Sequence, residues 1–220
     1  MNQKTMNNIE LRRLSAAPEF RIEQEVREDG TTARYITGYA VVFDQDSRPL
    51  YDCFVEQIAR GAFDNCDMSD VVMVVDHSRD VRDVLARSKN GEGSLEITID
   101  ERGVKFRFAV PNTSTGNDIA ELVERGDISE CSFAFIAKRD EWTFDVPYGG
   151  QTYDFRKVLE VERLIDLAIV VRGAYPQTSV ENEERALAEE IRKERTTPAR
   201  PYEKPTMGVR LAKALTELNF

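Results

Sequence analysis

Histidine is almost missing from this chain of 220 residues: His77 stands alone. One imidazole cannot build a histidine-rich metal site. It also leaves a single obvious provider for any reaction that needs a side-chain base near neutral pH. Cysteine is scarce too. Cys53, Cys66 and Cys131 show no CxxC spacing, and an odd count points to reduced thiols rather than a disulfide framework or a zinc site. No apolar run approaches the ~20 residues that span a bilayer. Residues 1–14 are polar and lack the apolar core of a signal peptide, so the expected product is soluble where it is made and has no membrane partner. Positive charge is in deficit: 30 Lys and Arg face 40 Asp and Glu, a net charge of −10. Without a basic cluster, that balance excludes the usual electrostatic grip on nucleic acid. No cofactor and no metal are expected.

What is present is enough for one domain of ordinary size plus tails, with 41% hydrophobic residues. Residues 1–18 read as a flexible N-terminal arm, residues 19–180 as the domain, and residues 181–220 as a charged tail or linker. Most of the domain reads as strand. Phe20, Ile22, Gln24 and Val26 alternate, Asp29-Gly30 supplies a turn, and Tyr35 to Phe43 returns. Gly38 inside that second strand suggests a bulge or a close backbone approach. Ala59 to Phe63 reads as a short helical turn stopped by Gly61, with Phe63 as a core plug. Val71 to Val75 is a continuous apolar run, the pattern of a strand buried on both faces. Val81 to Arg87 and Ser94 to Ile99 extend the sheet, and Val104, Phe106, Phe108 and Val110 alternate against Lys105 and Arg107. A short helix follows, capped by Thr115 or Asn117 and stopped by Gly126. Trp142 to Gly150 reads as a hairpin excursion, and Tyr153 to Val171 returns as strand.

Three side chains stand out. Ser132 opens the strand Cys131 to Ala137. Alternation puts Cys131, Phe133, Phe135 and Ala137 on one face, the buried one, and sends Ser132 to the other. His77 sits where the apolar run emerges at Asp76-His77-Ser78. Asp166 lies inside the run Ile165 to Val171, where a carboxylate is costly unless it is paired. It shares a face with Ala168 and Val170. A serine hydroxyl needs a neighbouring base to become a nucleophile; an imidazole suits that task, and a carboxylate on its far nitrogen fixes the tautomer. Cys131 is an alternative nucleophile, with a more reactive thiol but an inward orientation. A third reading keeps the fold without chemistry, as an assembly or binding protein docking through its acidic tail.

Gly61-Ala62-Phe63, Asp76-His77, Arg125-Gly126-Asp127-Ile128 with Ser132-Phe133-Ala134-Phe135, and Ala174-Tyr175-Pro176 follow one another at spacings that resemble the landmarks of the tailed-phage prohead maturation proteases. The resemblance covers roughly residues 34–180. It implies a fold related to the herpesvirus assembly protease, assemblin: mostly β with a few short helices, closed or partly closed into a barrel. It also implies a serine endopeptidase acting inside the immature capsid, or prohead, in the host cytoplasm. Its expected partner is the major capsid protein with its scaffolding segment, and it usually cleaves itself; self-association is a further expectation. Carried over by position, the catalytic residues are Ser132, His77 and Asp166. The third member in the herpesvirus relatives is a second histidine, absent here, and the acidic residue before the last core strand takes that place. Arg172 or backbone amides around Ser132 are the candidate oxyanion donors. Ala134 stands where glycine is frequent, and Gly173 where proline often precedes Ala-Tyr. Residues beyond 180 are expected to dock on scaffold and to be removed by self-cleavage.

Overall fold

The computed structural model describes residues 9–13, 20–26, 28–50 and 53–171. The charged tail, Arg172, Gly173 and Ala174-Tyr175-Pro176 lie outside them. Alternation of apolar residues dominates the described sequence, and strands follow from it. In chain order they are β1 (Ile9–Arg13), β2 (Arg21–Val26), β3 (Thr32–Val42), β4 (Phe54–Ile58), β5 (Asp70–Val75), β6 (Val84–Lys89), β7 (Glu92–Gly93), β8 (Leu95–Ile99) and β9 (Gly103–Ala109). Helix α1 (Ser114–Glu124) comes next, followed by two long strands, β10 (Glu130–Tyr148) and β11 (Gln151–Val170).

The strands form two sheets. One runs β1-β10-β11-β5-β6-β7, with β4 also paired to β11; the other runs β2-β3-β9-β8. The expectation of a mostly-β chain is met, with one α-helix and one 3-10 turn among the described residues. The expected barrel is not. Among the described residues both sheets are open, because no hydrogen-bonded ladder joins an edge of the first to an edge of the second. They share one core instead. Phe106, Phe108 and Ile36 from the second sheet pack with Phe135, Leu164, Leu167 and Met73 from the first.

Strand β11 is the axis of the larger sheet. It pairs antiparallel with β10, parallel with β4 over Asp154 to Val158, and parallel with β5 over Asp166 to Ile169. Its apolar run at residues 167–170 meets apolar side chains on both faces, Leu167 and Ile169 in the core and Ala168 and Val170 in a second cluster with Val74.

Several local expectations need correction. The arm expected over residues 1–18 is not loose throughout: Ile9–Arg13 forms β1, antiparallel to β10 with Arg13 opposite Ser132. Its alternation is too short and too charged to signal a strand, and long-range pairing supplies what propensity does not. Residues 81–83 form a 3-10 turn rather than strand, because the Asp80 carboxylate accepts the Arg82 N–H. Residues 60–65 form turns rather than a helix, although Phe63 is a core residue as expected. Thr113, not Thr115 or Asn117, caps α1, its hydroxyl accepting the Gly116 N–H at 3.0 Å. Gly126 does stop α1: its φ is +78°, and the Asp127 N–H reaches back to the Leu122 carbonyl. Gly38 marks a close approach, since a Cβ there would lie 2.8 Å from the Phe20 ring, which stacks edge-on against Phe106.

Candidate active site

Strand alternation sorts the central strands into two faces. Cys131, Phe133 and Phe135 of β10, Leu167 and Ile169 of β11, and Val71 and Met73 of β5 face the shared core. The opposite face of the same strands carries a small apolar patch of Val74, Ala168 and Val170, with Val72 against it. Ser132 lies opposite Ala168 in the ladder, and Ala168 lies opposite Val74. A residue and its ladder partner share a face, so Ser132 stands on this outer side, as alternation predicts.

Asp166 shares that face by alternation with Ala168, and an irregularity follows directly after it along the ladder. Ala134 is opposite Asp166, but the next residue, Phe135, is opposite Leu164, so Ile165 is the extra residue of a bulge. Without that bulge, Leu164 and Asp166 would point the same way. With it, Leu164 and Leu167 both enter the core, while Asp166 stays on the outer side with Ala168 and Ser132. The cost of a carboxylate in an apolar run is offset because Asp166 has a partner in His77 and keeps 18% side-chain exposure.

His77 arrives from β5. After Val75 the chain reverses in a tight turn closed by the Ser78 N–H on the Val75 carbonyl at 2.9 Å. Both central residues, Asp76 and His77, have positive φ, 48° and 55°. Left-handed backbone at a non-glycine residue costs on the order of 1–3 kcal/mol and persists only where surroundings impose it. Here the Asp76 N–H is held by the Ile169 carbonyl at 3.0 Å, and the Ser78 hydroxyl donates to Asp83 at 2.6 Å. The turn brings the imidazole back over the sheet.

The three side chains meet. His77 Nδ1 is 2.6 Å from Asp166 Oδ1, and His77 Nε2 is 2.6 Å from Ser132 Oγ. A carboxylate only accepts, so Nδ1 carries the proton and donates it to Asp166. In the neutral imidazole, Nε2 is then free to accept from the hydroxyl. Ser132 is 1% exposed, and its hydroxyl also lies 2.9 Å from the Arg12 carbonyl of β1. One hydroxyl proton therefore has two acceptors within reach. This is a hydroxyl, imidazole and carboxylate relay suited to acyl transfer.

The family of caudovirus prohead serine proteases matches residues 21–193. The chain belongs to that family. Among solved structures, this prohead protease is similar to the capsid assembly protease of bacteriophage T4, gp21, with a TM-score of 0.48 and 10% identity over 75% of this chain and 99% of that one. No curated protein sequence matches it.

The prohead protease places the alternative nucleophile, Cys131, elsewhere. Its side chain is fully buried on the core face, and its thiol lies against the Ser132 carbonyl at 3.4 Å. Burial holds that thiol well above the ordinary value, and Asp166 adds to the effect. Both the inward placement and the raised thiol argue against Cys131 as the nucleophile. Arg172, a candidate oxyanion donor, is outside the described residues.

A group that the sequence did not reveal sits on the core side of β1. The Arg12 guanidinium grips Glu56 of β4 twice, at 2.6 and 3.0 Å, and Arg156 of β11 donates to Glu56 at 2.8 Å and to Asp140 of β10 at 2.8 Å. Glu10 of β1 joins Arg12 at 2.7 Å and Arg156 at 3.0 Å. Burial alone would raise the Glu10 carboxyl, but the guanidinium groups of Arg12 and Arg156 outweigh it and hold it below the usual carboxylate value. These residues come from four strands spread over almost 150 positions, so no local pattern announces them.

Proposed function

We propose that this protein is the maturation endopeptidase of a phage prohead, with Ser132 as nucleophile, His77 as general base and acid, and Asp166 as the group that orients the imidazole. The observation that carries the reading is the unbroken relay of 2.6 Å contacts from Asp166 through His77 to Ser132. The turn at Asp76-His77 holds two non-glycine residues at positive φ, and it is this turn that carries the imidazole to Ser132 and Asp166.

In the first half-reaction Ser132 Oγ attacks a peptide carbonyl while His77 Nε2 takes its proton. Asp166 stabilises the imidazolium through Nδ1–H without taking that proton. The tetrahedral oxyanion needs donors worth about 3 kcal/mol each; backbone amides flanking Ser132 are the nearest source in the sequence. Collapse breaks the C–N bond, and His77 returns the proton to the leaving amine. Water then hydrolyses the acyl-serine by the same route.

Within this reading the substrate is the scaffolding segment of the major capsid protein, cut inside the immature particle in the host cytoplasm, and the enzyme also cuts itself. Residues 19–180 carry the chemistry, and residues 181–220 dock on scaffold until they are removed. The test is co-expression with the capsid precursor. Ser132→Ala should leave the precursor intact and the particle immature. Normal precursor processing by a folded Ser132→Ala protein would refute the assignment.

A further inference from the structure

Strand β1 is laid along β10 in the manner of a bound peptide. Residues 9–12 run antiparallel to 133–136, and the carbonyl between Arg12 and Arg13 is the one that Ser132 Oγ contacts at 2.9 Å. An extended segment added to the edge of a strand that carries a nucleophile is how β-augmentation presents a scissile bond. The side chain just before that bond, Arg12, is sunk in a built pocket and is only 6% exposed. Glu56, 3% exposed, receives its guanidinium in a bidentate pair, and the Phe54 and Phe135 rings lie 5.9 and 5.8 Å from its central carbon. Two residues earlier, Glu10 reaches Arg156.

Charge balance separates the pocket from its occupant. Glu56, Asp140 and Arg156 belong to the sheet and sum to −1, since two carboxylates face one guanidinium. Strand β1 adds Arg12 and Glu10, whose charges cancel, so pairing rather than net charge decides the fit: Arg12 meets the buried Glu56, and Glu10 meets Arg156. The planar bidentate pair on Glu56 favours arginine over lysine. Arg156 in turn offers the only place where the carboxylate of Glu10 is met by the sheet among the described contacts.

We propose that Glu56 is the specificity-determining residue for an arginine immediately before the cut, that Arg156 reads an acidic side chain two residues earlier, and that Glu10-Leu11-Arg12 is the protein's own copy of this substrate class, cut at Arg12–Arg13. The inference rests on the peptidase reading above. Ser132 Oγ bonds to the Arg12 carbonyl carbon as His77 takes the hydroxyl proton. The bond to the Arg13 nitrogen breaks, and that nitrogen receives the proton. Water then releases residues 1–12 with a new carboxylate, leaving a chain that begins at Arg13. Until that cut is made and the strand departs, β1 holds the edge of β10 that any other substrate must use.

The experiment follows purified full-length protein by intact mass, alongside a peptide of residues 7–18 and the capsid precursor. The wild type should lose residues 1–12, and Ser132→Ala should retain them. The peptide should be cut after Arg12, at least 100-fold faster than one with Gln in place of that arginine. Glu56→Gln should reduce that discrimination to less than tenfold. The peptide pair leaves the enzyme unaltered, so it decides the matter even if the Glu56 variant does not fold. Precursor cleavage with an intact Arg12–Arg13 bond, or equal rates on the two peptides, would overturn this inference and leave the peptidase reading standing. Failure to cut any of the three, with no labelling of Ser132 by a fluorophosphonate, would overturn both.

Discussion

Replacing Asp166 by asparagine isolates the carboxylate's part in the relay while keeping its shape. In the wild type, Asp166 accepts the Nδ1 proton at 2.6 Å, which leaves Nε2 as the acceptor 2.6 Å from Ser132 Oγ. An asparagine can turn its amide N–H toward Nδ1. The ring then carries its proton on Nε2, pointed at the hydroxyl, and cannot take the serine's proton. By analogy with other serine triads this tautomer error lowers kcat by about 10⁴, which at 1.36 kcal/mol per tenfold is about 5 kcal/mol of barrier. Stability should change far less. Asp166 is only partly buried, and one charge-assisted hydrogen bond is exchanged for a neutral one, a cost of about 1 kcal/mol. Single-turnover cleavage of the capsid precursor gives the rate, and thermal unfolding followed by circular dichroism gives the stability. A folded Asp166→Asn protein that cuts within tenfold of the wild-type rate would show that the carboxylate has no such role.

Three other outcomes are expected. At position 76, where φ is +48°, Asp76→Val should cost about 1–3 kcal/mol of stability and misplace the imidazole, while Asp76→Gly should keep both stability and activity; equal behaviour of the two would count against strain in the turn. Cys131→Ala should retain precursor cleavage within a few-fold, because the thiol faces the core, and a loss of activity without unfolding would revive the thiol as nucleophile. Glu10 is held below its ordinary value, so its ion pairs stabilise the seated β1 above the usual carboxylate range and are lost as pH falls through the lowered value. Trp142, the sole tryptophan, lies 5.7 Å from Arg156 and should report that acid transition by fluorescence, and an unchanged transition in Glu10→Gln would contradict the linkage.

Period-two alternation made much of the site legible. It separated Ser132 from Cys131 on β10, and it grouped Leu167 with Ile169 against Ala168 with Val170 on β11. The solitary histidine at the end of an apolar run was equally visible, because its placement needed no long-range information. Strict alternation also put Asp166 with Ala168, which is correct, but it put Ile165 with Leu167. The bulge breaks that second grouping: Leu164 enters the core, and Ile165 is left half-buried. Bulges depend on the partner strand, so a single strand's pattern does not reveal them. Strand β1 escaped notice for a related reason. Five residues with three charges read as a polar arm, and only Glu56 and Arg156, more than 40 and 140 positions away, turn Arg12 and Glu10 inward. Barrel closure was an expectation from family likeness rather than from any residue, and the edges of these sheets do not meet it.

The position of β11 bears on when the protein becomes competent. The β2-β3 hairpin and the β8-β9 hairpin join neighbours in sequence and can form early, since local contacts carry a small loop-closure cost. The sheet that holds the relay also has local pairs, β5-β6, β6-β7 and β10-β11, but its parallel pairs and the β1-β10 pair are long-range. Strands β4 and β5 gain their parallel neighbour only when residues about 100 positions later have been made, and β1 must wait for β10. A ribosome would therefore release most of the polypeptide before the nucleophile, base and carboxylate could find one another. The relay is complete only once residues through 170 have been made and β5 has gained its parallel neighbour.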